Sequence, residues 1–121
     1  LNNINKALKM RQKNKTIDPD IHFRVLHVLE ENPSITQREL ARKLGISLGS
    51  VNFCLKALID IGHIKVKNFQ KNPDKSLYLY LLTPQGIKQK ALLTAGFLRR
   101  KLEEYHALKR EIDSIQSKMR I

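Results

Sequence analysis

One cysteine, no tryptophan and a 6% share of aromatic residues mark this chain of 121 residues as poor in several ingredients at once. A lone thiol cannot close a disulfide within the chain, and it fits a reducing compartment better than a secreted one. With 5 Gly and 4 Pro the chain lacks the breakers of a disordered polypeptide, and a 41% hydrophobic fraction supports a modest core. No apolar run approaches the roughly 18 residues that span a bilayer. The opening LNNINKALKMRQKNKT has no continuous apolar stretch, so it does not read as a secretory signal. Acids are scarce too, 11 against 23 Lys and Arg. The length suits one domain with an added extended element.

The net charge of +12 is unevenly spread. Residues 1–16 hold five basic side chains and no acid, whereas 17–35 hold Arg24 against four acids. Four bases meet two acids in 36–62, four meet one in 63–83, and nine meet four in 84–121. A basic surplus of this kind favours nucleic acid as partner, because each phosphate neutralised by Lys or Arg releases counterions. The plainer reading is a solvated basic surface.

Start and stop signals divide the chain into helices. Residues 1–17 read as a basic arm or short helix. Asp18-Pro19 then supplies an N-cap and a proline for the first helical position. Ile21, Val25, Val28 and Leu29 mark the buried stripe of a helix ending at Asn32-Pro33. Thr36 and Glu39 form a capping box for a short helix burying Leu40, Ala41 and Leu44, closed by Gly45 in a left-handed turn. Ser47 caps the next helix, which runs to Ile61 and stops at Gly62. Ile64, Val66 and Phe69 then begin a period of two, and LYLYLL (77–82) is rich in strand formers. The polar QKNPDKS between them suits the tip of a β-hairpin.

Thr83-Pro84 starts a final helix that runs unbroken to Met119, with Gly86 and Gly96 as its weak points. Its end carries a heptad seam. Leu98, Tyr105, Ile112 and Met119 fall at one position and Leu108 and Ile115 at the other, while Lys101 and Thr94 interrupt it upstream. Together with Leu102 these residues are the expected dimer interface. The alternative, packing of the stripe within one chain, is disfavoured because the helix is roughly 50 Å long at 1.5 Å per residue and outreaches a small domain.

Residues 37–56 carry the most specific pattern: apolar Leu40, Leu44, Ile46, Val51 and Cys54, with Ala41 where helices cross and Gly45 at the turn. This resembles a helix-turn-helix. At 100° per residue, Val51, Cys54, Leu55 and Leu58 point inward, while Gly49, Phe53 and Lys56 face outward with Ser50 and Asn52 on the flanks. A helix start this small and uncrowded is suited to a major groove. Gly49 allows close approach, Ser50 can bond base or phosphate, Asn52 can pair with an adenine edge, and Lys56 suits phosphate or guanine. Ser47 and Leu48 open the same helix. Two placements of Phe53 stay open: against a thymine methyl or sugar edge, or folded down against the hairpin.

Thr36, Gln37 and Arg38 begin the preceding helix and offer its free N–H groups to a phosphate. In the hairpin, Lys65, Lys67, Lys71 and Lys75 with Asn68, Gln70 and Asn72 suit a wing on DNA. They would equally blunt an edge strand. Cys54 reads as a small buried hydrophobe rather than a redox sensor. Four scattered histidines without ligand spacing give no metal site, and no catalytic or cofactor-binding motif is present, so no enzyme is expected.

QRELARKLGISLGSVNFCLKALIDIGHIKVKNF, followed by YLLTPQGIKQKA and the basic, leucine-spaced tail, resembles the winged helix-turn-helix of MarR-type regulators. It is most similar to the small exopolysaccharide (EPS)-associated members. The resemblance covers residues 21 to about 115. It implies a cytoplasmic, nucleoid-associated bacterial transcriptional regulator, a homodimer on a near-palindromic duplex operator, with the helix from Ser47 in the major groove and the hairpin as wing. Many members seat a small ligand between the dimer helices and the DNA lobe. They also add a further C-terminal helix where this chain ends with one, which weighs against a small-molecule effector here. The expected fold is mainly α with a small β-hairpin (α+β). A winged helix-turn-helix DNA-binding domain over 18–83 follows the arm, and a long dimerisation helix over 84–121 completes the chain. Two other functions remain open: a winged-helix module that docks protein, and a DNA-organising or partition protein with weak sequence preference.

Overall fold

The computed structural model describes residues 17–68 and 78–120. The expected N-terminal arm before Ile17 and the hairpin tip with Gln70, Lys71, Asn72 and Lys75 lie outside the described residues. The remaining elements follow one another as α1 (Pro19–Glu31), α2 (Gln37–Leu44), α3 (Leu48–Asp60), β1 (Ile64–Asn68), β2 (Tyr78–Leu82) and α4 (Pro84–Met119).

Each helix starts where a side chain can satisfy its free N–H groups. The Asp18 carboxylate accepts from Asp20 N–H at 2.7 Å ahead of Pro19, and α1 stops where Asn32 N–H closes on Val28 O. Thr36 Oγ1 accepts from Glu39 N–H at 3.1 Å, which is the Thr36 half of the expected capping box. Gly45 ends α2 at φ 68°, in the left-handed region where a Cβ would be strained. Ser47 Oγ accepts from Ser50 N–H at 3.1 Å, and Thr83 Oγ1 from Gly86 N–H at 3.0 Å.

The core gathers Val25, Leu26, Val28 and Leu29 of α1, Ile35, Leu40, Ala41 and Leu44 around α2, Val51, Leu55 and Leu58 of α3, and Ile64 and Tyr80 of the hairpin. Phe23 and Leu26 of α1 are buried as well, beyond the stripe read from the sequence, while Ile21 is only partly covered. A single 3.6-residue stripe describes a helix with one neighbour. Helix α1 has several, since α2, β2 and α4 all pack on it.

The two strands pair antiparallel from Ile64 opposite Leu82 to Asn68 opposite Tyr78. Tyr80 N–H also donates to Pro33 O at 3.0 Å, fastening the hairpin to the loop before α2. Within β1, Val66 is 39% exposed. Only Ile64 of β1 is buried, because nothing among the described residues covers the rest of that strand.

The first part of α4 lies on α1, with the rings of Phe23 and Phe97 4.4 Å apart. Arg100 Nε sits 2.7 Å from Asp20 Oδ1, Lys101 Nζ 3.8 Å from Asp20 Oδ2, and Lys90 Nζ 3.5 Å from Glu30. The acidic segment of the sequence is thus the counterpart of cations on α4. Residues 102–120 stand clear of the domain, every one of them exposed. Intramolecular packing of the heptad stripe is therefore excluded among the described residues. None of the described helices is long and apolar enough to cross a membrane.

Candidate nucleic-acid interface

Helix α3 presents the two faces that its sequence implies. Val51, Cys54, Leu55 and Leu58 are buried, and Gly49, Phe53 and Lys56 are exposed. Burial raises the Cys54 thiol above its ordinary pKa, the opposite of what a reactive thiolate needs.

The flanks of the exposed ridge differ. On one side, Asn52 and Lys56 line a groove with Gln37, Ile59, Val66, Tyr78 and Tyr80. Asn52 Nδ2 donates to Gln37 Oε1 at 3.3 Å, and Gln37 Nε2 donates to the Tyr80 hydroxyl at 3.0 Å. One polar chain thus ties the groove-facing helix to the start of α2 and to the hairpin. Sequence reasoning missed Tyr80, whose hydroxyl organises two of the expected contact side chains. The signal for it was faint: a tyrosine at the buried register of an otherwise apolar strand needs a partner for its O–H.

On the other side, Gly49, Ser50, Phe53 and Cys54 line an open groove of about 430 Å³ with Asp18, Ile21, Ile46 and Ser47. Phe53 is 50% exposed here, turned toward the start of α1. The groove it lines contains none of the described hairpin residues. The Ser47 hydroxyl donates to Ser50 Oγ at 2.9 Å, so the two serines form one polar unit at the helix start. Leu48 is 47% exposed beside them.

Thr36 and Arg38 are exposed and Gln37 half-buried at the start of α2, and Lys67 and Asn68 are exposed on β1. Arg42, Lys43 and Lys65 are exposed as well.

A further groove of about 430 Å³ opens between α1 and α4, lined by Phe23, Arg24, His27, Val28, Lys43, Leu44, Phe97 and Leu98. His27 Nδ1 is buried and finds no hydrogen-bond partner among the described residues. The histidines are also less scattered than their spacing implies. His22 Nε2 and His63 Nδ1 lie 3.2 Å apart with the rings stacked. Burial pushes His22 down to about 4, helped by His63, and burial lowers His63 too. The pair is a neutral hydrogen bond. No group of three or more metal-ligating side chains occurs among the described residues.

Residues 18–65 match the model of a winged helix-turn-helix DNA-binding domain. No curated protein matches the chain in sequence. Among solved structures, a MarR/EmrR family transcriptional regulator from Acinetobacter sp. ADP1 is 23% identical over 82% of this chain and 71% of its own, with a TM-score of 0.59. A cysteine-to-serine mutant of Lactococcus lactis ZitR is 25% identical over 82% and 68%, also at 0.59. The adhesin competence repressor AdcR of Streptococcus pyogenes is 20% identical over 96% and 86%, at 0.61. The chain therefore carries a winged helix-turn-helix domain of the DNA-binding type, built on the fold of the MarR-family transcriptional regulators.

Proposed function

We propose that the protein is a sequence-specific regulator of transcription that binds double-stranded DNA as a homodimer. The unit 18–83 inserts α3 into a major groove and uses β1–β2 as the wing, and 84–121 joins two copies. The observation that carries this reading is the ridge Gly49–Phe53–Lys56, exposed among the described residues, with Arg38 and Lys67 exposed on the elements to either side of it in sequence. Thr36, Gln37 and Arg38 seat one phosphate run at the start of α2. Ser47, Leu48, Gly49, Ser50, Asn52, Phe53 and Lys56 meet the groove. Lys67 and Asn68 follow the backbone, with Gln70, Lys71, Asn72 and Lys75 of the tip assigned to the same role. The dimer contact is the exposed stripe Leu98, Leu102, Tyr105, Leu108, Ile112, Ile115 and Met119. No catalysis is proposed.

The deciding experiment is a mobility-shift titration of duplex DNA at physiological salt with random competitor. Retention of a discrete complex supports sequence-specific binding. Cooperative coverage without preference points to a DNA-organising protein, and absence of any complex to a protein-docking module.

The groove between α1 and α4 supports a smaller addition: an aromatic carboxylate as effector, its ring among Phe23, Phe97 and Leu98 and its charge near Arg24 and Lys43. Salicylic acid is the ligand in the structure of the Mycobacterium tuberculosis protein Rv2887, which shares this fold at 17% identity. Calorimetry with salicylate tests the addition, and absence of heat at millimolar ligand removes it.

A further inference from the structure

The ridge of α3 is unusual for a surface meant to hydrogen-bond. Asn52 is half-buried and its amide is engaged by Gln37, and Ser50 is paired with Ser47. Two large apolar side chains stand exposed on its leading turns, Leu48 at 47% and Phe53 at 50%.

Gly49 adds an independent observation. Its φ is negative, and a Cβ placed on it would meet only Ser47 Oγ, at 4.0 Å. The fold itself has room for a side chain there. Glycine still loses more backbone freedom on folding than alanine, although at the second residue of α3 the cost is smaller than in a helix interior. A bare position that nothing among the described residues requires leaves room for close approach by an outside surface. Phe53 lies one turn on along the same ridge, so whatever approaches Gly49 covers the ring.

Resting on the DNA-binding reading above, we infer that Phe53 is a specificity-determining residue that reads a thymine through its C5 methyl group. A phenyl ring has no donor or acceptor for a base edge. In the major groove the thymine methyl is the apolar feature that an unmodified base pair presents, and it distinguishes T from C at the same ring position. Lys56 follows on the ridge and supplies the charge that holds the backbone close. The half-site therefore carries an A·T pair under Phe53, read by contact rather than by hydrogen bond.

The test uses the full chain and a duplex selected by it from a random pool. Each thymine of the selected half-site is replaced singly by deoxyuridine, which lacks only the methyl. At one position per half-site the affinity falls about fourfold, the worth of one buried methyl. Phe53→Ala binds the thymine and deoxyuridine duplexes equally, whereas Lys56→Ala binds both more weakly and keeps the fourfold ratio. Wild-type protein that binds the duplex yet is indifferent to every methyl overturns the inference and leaves DNA binding intact. So does a methyl penalty that survives in Phe53→Ala. A pool that yields no bound duplex overturns the DNA-binding reading itself.

Discussion

Gly86 lies directly against the carbonyl of His63, so close that a Cβ built on it would fall within the van der Waals envelope of that carbonyl. The apparent weak point at the start of α4 is the place where the long helix meets the root of the hairpin. Thr83 closes the same junction, its N–H donating to His63 O at 3.0 Å and its hydroxyl to Gly62 O. Gly86→Ala must move backbone and is expected to destabilise by about 2–3 kcal/mol. At Gly96 the atoms nearest a Cβ belong to the Arg100 guanidinium, the first at 3.1 Å. There the helix-propensity gain opposes the displacement of a guanidinium that Asp20 holds through Nε at 2.7 Å, and Gly96→Ala should cost no more than about 1 kcal/mol. Thermal unfolding of the two variants side by side checks the contrast.

The His22–His63 pair makes stability depend on acid. His22 titrates at about 4 in the folded protein against an ordinary 6.5, so between those values the unfolded chain binds more protons. Its contribution is present above pH 6.5 and is lost as the pH falls toward 4, and His63 acts in the same direction. Urea unfolding across pH 4 to 8 should show a slope that His22→Gln flattens. An unchanged slope in that variant would assign the acid sensitivity to other groups.

Charges placed in the heptad stripe should separate the subunits. Ile112 is 45% and Ile115 53% exposed in the single chain, so Ile112→Lys with Ile115→Lys disturbs no internal packing. Sedimentation should report monomers with an unchanged thermal transition of the domain, and operator affinity should drop because only one half-site is held at a time. A persisting dimer would move the interface elsewhere.

Removing a phosphate contact has a signature that removing a base contact lacks. Lys56→Ala and Arg38→Ala should each weaken duplex binding. For whichever residue meets phosphate, the dependence of log affinity on log salt should become shallower by about one contact's share. Affinity unchanged at several salt concentrations would take the residue out of the interface.

Much of the fold was legible in the chain because its signals are local. Thr36, Ser47 and Thr83 each cap the helix that follows them, and Gly45 closes the turn with the geometry its position implies. The inward and outward faces of α3 follow from helical period alone. Contacts between distant segments were not legible. His22 and His63 are 41 residues apart, and Gln37 and Tyr80 are 43 apart, so no window of sequence contains either pair. Phe23 and Leu26 escaped for another reason. A helix packed on several sides hides more than one stripe, and periodicity reports the strongest.

The joint where Asp20 meets Arg100 and Lys101 sits where α4 leaves the domain. Beyond it the rod of α4 runs a further 25 Å or so, and a tilt of about 10° at the joint would swing its tip by roughly 4–5 Å on that length. In a two-fold assembly joined at the rods, the angle set there fixes how far apart the two reading heads stand. A pair of carboxylate oxygens near the start of α1 would then work as a protractor, choosing which spacings along a duplex the protein can straddle.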